Sequence, residues 1–306
     1  MAHRHISTPI PWRGAELSQH TGWHHALTAH ELDELDAAVE ANADTPLNAI
    51  SPANFPLDRL AERLGQIREE LLKGSGVAKL TGFPVSHWAM PALQRAYIGL
   101  SSFLGTPTPQ NRGEGLLREI RDRSDEGGTR VDSADALNWH NDRTDIVGLL
   151  SLSEAQRGGI SRIASAIAIH NHLAAVNPAQ LDTLLADYAR FAPGDEVGGS
   201  SGIYRAPVFR YEGTTLLTHY SRTYITQAAA HAHGHPLSAA QASALEALVD
   251  AADQLSFEMP LLTGEIQYLN NYAILHSRSA FTDSEHQHRL LWRVWLSLRD
   301  GETWTG

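Results

Sequence analysis

The feature that most constrains this chain is a succession of short, turn-bounded apolar segments between residues 76 and 298. "GVAKLTGFPV" at 76–85 is β-branched and bounded by Gly and Pro, as strands are. Further strand candidates lie at 146–152, 160–166, 203–211, 215–220, 255–261, 265–270 and 290–298. Many short strands punctuated by turn residues pack as an antiparallel sandwich or a jelly roll. A helix is expected over about 91–104, and helical insertions near 167–190 and 238–253, the second opened by the Ser-x-x-Gln capping box of "SAAQ".

The first 75 residues read as mostly helical. "LTAHELDELDAAVEAN" (27–42) carries a Thr-x-x-Glu capping box and then Leu and Val at helical spacing, and "LDRLAERLGQIREELLKGSG" repeats the pattern and stops at Gly. At 306 residues the chain suits one large core, so the expectation is a single domain over 1–306, with a helical region at 1–75 and a β core at 76–300. The stretch 111–137 is rich in charge and Gly with little apolar periodicity. It reads as a surface loop of the length that active-site lids have.

Composition narrows the function. A formal net charge of -11 repels a phosphate backbone, so neither nucleic acid nor an anionic membrane is an expected partner. No signal-peptide h-region and no run of about 18 apolar residues occurs, which predicts a soluble, cytoplasmic protein. Zero cysteines exclude disulfides, thiolate catalysis and Cys-ligated metals. Any metal must be held by His, Asp, Glu or water. A homo-oligomer is the general prior for a soluble enzyme.

"LNWHNDRTDIVGLLSL" (137–152) contains a His-x-Asp pair. If the segment is extended, His140 and Asp142 share a face, Asn141 points away, and Asp145 lies opposite Asp142 as a solvated or hydrogen-bonded residue. With 17 histidines in the chain, a lone His-x-Asp decides little. The weight comes from "LTGEIQYLNNYAILHSRSAFTDSEHQHRLLWRVWLSLRD" (262–300), which supplies His276, Arg278, Arg289 and Arg293. Two imidazoles and one carboxylate make the facial triad of non-haem Fe(II) oxygenases, with coordination positions left open. A dianionic small molecule filling them needs a cationic anchor, and the planar fork of Arg grips a carboxylate with two hydrogen bonds.

His140-x-Asp142, "GGISRIASA" (158–166), "NNYAILHSRSAF" (270–281) and "HRLLWRVWL" (288–296) together resemble the TauD/TfdA family of Fe(II)- and 2-oxoglutarate-dependent dioxygenases. The resemblance covers roughly 76–298, with 136 residues between the histidines, 13 from His276 to Arg289 and 4 from Arg289 to Arg293. It implies a double-stranded β-helix core in which His140, Asp142 and His276 bind iron. It also implies that Arg289 pairs with the distal carboxylate of 2-oxoglutarate, helped by the hydroxyl of Ser161, where the family often has Thr. Arg293 would lie near the carboxylate that chelates iron. The implied reaction consumes O2, converts 2-oxoglutarate to succinate and CO2, and oxidises a C–H bond of a small organic substrate, most often to an alcohol. Related halogenases have a small residue in place of the carboxylate ligand, so Asp142 disfavours halogenation, while desaturation and cyclisation stay open. Because imidazoles ligate only when neutral, iron affinity is expected to decline below about pH 6.

Plainer readings compete at each position. Arg289 and Arg293 are four apart and share a face, as charges on the solvent side of a strand do, but the intervening "LLW" predicts a half-buried strand whose inward Arg needs a partner. Ser161 is as well read as an ordinary strand serine. Asn271 and Arg278 flank His276 and either orient it or touch substrate. Arg205, Arg210, Tyr220 and Arg222 are candidates for meeting a substrate carboxylate, Tyr220 being the one retained for the site. "HAHGHP" (231–236) and "HQH" (286–288) read as loop and turn, and most Trp and Tyr as core. The alternative function is a cupin-like jelly roll that binds metal and a small ligand without oxidative turnover; the Arg289/Arg293 pair argues against it, as the intact motifs argue against a degenerate family member.

Overall fold

Two-residue alternation decides which face of each central strand meets helices and which meets another sheet. In Leu290–Ser297, Trp292, Val294 and Leu296 point one way into a cluster with Leu35, Leu64, Leu71, Tyr97 and Leu100 of three helices, while Leu291 and Arg293 point the other way. Both faces of this strand are buried, so the half-buried strand read from "LLW" is covered on its second side as well. The computed structural model describes residues 4–110, 115–127, 130–192, 202–231 and 236–298.

The larger sheet runs His24–Ala26, Val77–Thr81, Ile266–Asn270, Ile146–Ser153, Leu290–Ser297, Thr106–Thr108, with Leu117–Ile120 also paired to Leu290–Ser297. All its pairings are antiparallel except His24–Ala26 beside Val77–Thr81. The smaller sheet runs Phe257–Met259, Ser161–Ser165, Ile274–Arg278, Leu137–His140, antiparallel throughout. Helices Ala29–Ala41, Arg59–Lys73 and Met90–Ser102 cover the outer face of the larger sheet. Ala166–Val176 and Ala239–Leu255 cover that of the smaller, where Ile167, Leu173, Leu245 and Leu248 pack with Ala164 and Leu275. Between the sheets, Val77, Val147 and Leu269 meet Ile163, Met259 and Ile274. The rest of that interior is the cavity described below. The architecture is a jelly roll, mainly sheet with helical insertions.

Local signals placed the helices well. Thr28 and Ser238 cap their helices with reciprocal Glu31 and Gln241 boxes, each cap contributing about 1 kcal/mol. Three expectations change. The 111–137 stretch contains the strand Leu117–Ile120 and the short turns Ser124–Glu126 and Arg130–Asp132, because Leu117–Ile120 finds its pairing only on the distant Leu291–Val294; its residues 111–114 and 128–129 lie outside the described ones. The insertion at 167–190 ends as helix at Leu184, and Asp187–Phe191 is a strand paired with Ile203–Pro207. The expected strand 203–211 breaks at Val208 into two that pair with different partners. Most of "HAHGHP" falls on 232–235, also outside the described residues.

Candidate active site

His140 and His276 oppose each other across the Leu137–His140 and Ile274–Arg278 pair, so their ring centroids lie 4.2 Å apart. The pairing shifts from His276–His140 to Arg278–Leu137, which leaves one extra residue on the first strand, a β-bulge. Within the bulge the carbonyl of Asn138 lies 2.8 Å from His140 Nδ1. A carbonyl can only accept, so Nδ1 carries the proton and Nε2 keeps a free lone pair. Nε2 is the atom turned toward Asp142, 3.9 Å from its Oδ1.

Pleat alternation does not bring Asp142 to this point, because the strand ends at His140. Two asparagines do. Asn271 accepts from the Asp142 amide at 2.9 Å and donates to the carbonyls of Asp142 and of Thr144. Asn141 donates to the carbonyls of Asn271 (2.6 Å) and Ile274 (2.9 Å) and accepts from the Tyr220 amide at 2.9 Å. The Asp142 carboxylate then meets Arg293 Nη1, 3.1 Å from both oxygens, and Trp295 Nε1 at 3.2 Å. Gln110 braces Arg293, accepting from its Nε at 2.7 Å and donating to its carbonyl at 2.8 Å. Asp145 is buried elsewhere, accepting from the Tyr272 hydroxyl and the Leu298 amide at 2.7 Å each.

One nitrogen or oxygen from each of His140, Asp142 and His276 lies within 4.8 Å of the others. Burial lowers the His140 and His276 imidazoles, His276 to about 3, so both are neutral at pH 7. Burial pushes the Asp142 carboxyl up, but Arg293, His276 and His140 outweigh it and leave the group below its ordinary value. Two neutral imidazoles and a carboxylate fit a divalent iron. These shifts move the acid limit expected from ordinary imidazoles. An ordinary His, with a pKa near 6.5, would weaken binding about tenfold at pH 5.5. We expect Fe(II) affinity to fall between pH 7 and pH 5.5 by less than the tenfold of an ordinary imidazole, measured by anaerobic titration; a tenfold loss would contradict the burial argument.

The donors open onto a cavity of about 290 Å³ between the sheets, whose lining includes Ser161, Arg278, Arg289, Leu291 and Arg293. Arg289 is 8% exposed, and its Nη1 has no hydrogen-bond partner among the described residues. Burial and then Arg278 lower its guanidinium to about 9, still charged at neutral pH. A buried cation with an unused donor calls for an anion. Gly159, at φ +68°, leaves it room, since a Cβ there would meet Arg289 Nε at 2.9 Å. Ser161 shares this wall and donates to Gln267 Oε1 at 3.2 Å. The residues present therefore suit 2-oxoglutarate as well as iron.

Other anticipated residues lie elsewhere. Asn271 is outside the cavity lining because its amide is engaged on the Asp142 backbone. Tyr220 is buried on the far side of the smaller sheet, lining a separate cavity with Arg222 and Glu246. Arg205 and Arg210 are exposed on hairpins away from the triad. Arg278 lines the cavity but donates to the carbonyls of Ser133 and Asp135. Arg293, expected beside a carboxylate of 2-oxoglutarate, is paired with Asp142. Gln110, Asn138 and Trp295 were not anticipated. Trp295 alone left a trace, standing two residues beyond Arg293 on the same strand face.

Fold and site together are a jelly roll enclosing a His/His/carboxylate donor set suited to a divalent metal. A model of the taurine catabolism dioxygenase TauD, TfdA family matches residues 43–295. The chain belongs to this family of non-haem iron, 2-oxoglutarate-dependent dioxygenases. It is 26% identical over 306 residues to FR-33289 synthase of Streptomyces rubellomurinus, covering 95% of this chain and 89% of the relative. It is 26% identical over 299 residues to a taurine hydroxylase-like protein of Stachybotrys chartarum, covering 90% and 75%. Among solved structures, asparagine oxygenase with Fe(II), 2S,3S-3-hydroxyasparagine and succinate superposes with a TM-score of 0.70 at 17% identity, over 92% of this chain and 98% of that one. The non-haem iron oxygenase OrfP with Fe, succinate and (3S)-hydroxy-L-Arg gives 0.67 at 15% identity, over 90% and 94%.

Proposed function

We propose that this protein hydroxylates an unactivated C–H bond of a small organic molecule, with His140, Asp142 and His276 as iron ligands and Arg289 as anchor of the distal carboxylate of 2-oxoglutarate. The observation that carries the reading is the convergence, on one cavity, of a neutral His/His/carboxylate donor set and a buried guanidinium with an unused donor. Iron bound there, with 2-oxoglutarate and O2, supplies the oxidation, yielding succinate and CO2. The protein holds His140 in one tautomer through Asn138, holds Asp142 by its backbone through Asn271 and by its charge through Arg293, and encloses the reacting groups between two sheets. Ser161 would offer its hydroxyl beside Arg289.

Hydroxylation is supported by the hydroxylated products bound in the asparagine oxygenase and OrfP structures and by the hydroxylase-like fungal relative. A cupin-like binder without turnover gives no reason for the buried Arg289, whose Nη1 has no hydrogen-bond partner among the described residues. The formal charge of -11, and the lack of a helix long and apolar enough to cross a membrane among the described residues, support a cytoplasmic enzyme that does not bind nucleic acid.

Anaerobic Fe(II) and 2-oxoglutarate are expected to give a visible charge-transfer band. On admitting O2, a screen of metabolite mixtures is expected to find one that stimulates succinate formation and gains one oxygen. Absence of both the band and succinate would refute the reading, and a loss of two hydrogens would replace hydroxylation by desaturation or cyclisation.

A further inference from the structure

Arg278 is buried at 7% exposure; the carboxylates of Asp122 and Asp135 favour its charge, but neither closes to salt-bridge distance. Its guanidinium is committed to main-chain oxygens instead. Nη2 donates to the carbonyl of Ser133 at 2.7 Å and to that of Asp135, and the Phe281 amide donates to the intervening carbonyl of Ala134 at 2.9 Å. Three successive carbonyls are thus held by the 278–281 segment, just before the chain enters the strand that ends in His140.

The opposite edge of 278–281 is fastened to the glycines beside Arg289. Gly159 donates to the Ala280 carbonyl at 3.1 Å, Ser279 donates to that of Ile160 at 3.0 Å, and Phe281 pairs with Gly158. The Phe281 ring completes the link, with the Arg278 guanidinium 4.8 Å from its centroid and that of Arg289 at 5.2 Å. Two cations share one ring in a desolvated site, where such contacts are strongest and where like charges oppose each other.

We propose that Arg278 is a positioning residue that couples carboxylate binding at Arg289 to the order of segment 133–139, the wall of the cavity that leads into His140. An anion on Arg289 offsets one of the two neighbouring positive charges, which steadies the Arg278 fork on Ser133 and Asp135. Coupling between sites is reciprocal, so a firmly held 133–135 segment also strengthens the binding of the anion. The proposal rests on the reading of Arg289 given above.

The test is hydrogen exchange of 133–139 and of the Phe281 amide in the anaerobic iron-loaded protein, with and without 2-oxoglutarate. In the wild type, saturating 2-oxoglutarate is expected to slow exchange by about fivefold or more, the lower end of ordinary coupling. Arg278→Lys keeps the charge but loses the planar fork; it should bind 2-oxoglutarate about fivefold more weakly and show no such slowing. Phe281→Leu leaves Arg278 in place and removes the shared ring, and should also uncouple exchange from occupancy if Arg278→Lys fails to fold. Wild-type protein that binds 2-oxoglutarate without any change over 133–139, or Arg278→Lys that behaves as wild type, would overturn the proposal. Failure of the wild type to bind 2-oxoglutarate at all would overturn the Arg289 reading and the coupling with it.

Discussion

Arg289→Met is expected to weaken 2-oxoglutarate binding by two to three orders of magnitude while making the protein without cosubstrate more stable. Removing one partner of a buried, hydrogen-bonded charge pair costs about 2–5 kcal/mol, and each 1.4 kcal/mol is tenfold in affinity. The opposite sign for stability follows from the unused Nη1 in a site only 8% exposed. A buried donor with no partner costs about 1–3 kcal/mol, more when charged, and Met preserves much of the apolar stem while removing the charge. Anaerobic titration of the charge-transfer band would read the first effect and urea unfolding the second. A Kd within threefold of wild type would remove Arg289 from its assigned role. Here stability and function pull apart, as they do where a site is built for an absent charge.

Asp142→Ala is expected to lose Fe(II) affinity by at least about a hundredfold and, separately, about 3–5 kcal/mol of stability in the metal-free protein, because breaking a buried pair strands the other charge. The stranded group is Arg293, whose side chain is 8% exposed and loses both of its 3.1 Å contacts. Removing that charge as well, in Asp142→Ala/Arg293→Met, should recover most of the stability and none of the iron affinity. Stability from urea unfolding then gives a strongly non-additive cycle, as residues in direct contact do. An additive cycle would mean that Arg293 is satisfied by Gln110 alone.

The site candidates were legible in the sequence as residue types in the order of the family they resemble: His140-x-Asp142 and His276 for the metal, Arg289 and Arg293 for 2-oxoglutarate. Capping boxes at Thr28 and Ser238 are local, and those helices start where expected. What was hidden depends on register between distant segments. Nothing around Asn138 announces a bulge, which exists only relative to Ile274–Arg278. Gln110 meets Arg293 across 183 positions. Asn271 holds Asp142 across 129, and its position beside a predicted strand end is equally compatible with touching substrate. Likewise Leu117–Ile120 is too short and charged to declare itself a strand before its partner is known.

The Leu290–Ser297 strand serves two masters, with Trp292, Val294 and Leu296 in the helical layer and Leu291 and Arg293 in the chamber. A one-residue insertion or deletion there would exchange the two sets, delivering a guanidinium to the oily layer and an indole to the iron site. That strand can therefore drift only by substitution in place. Ile120, Val131 and Leu137 line the chamber from the stretch that runs from the strand Leu117–Ile120 to the strand Leu137–His140. Side-chain size at Ile120 and Val131 can change what such an enzyme accepts while leaving in place the residues that hold His140 and Asp142.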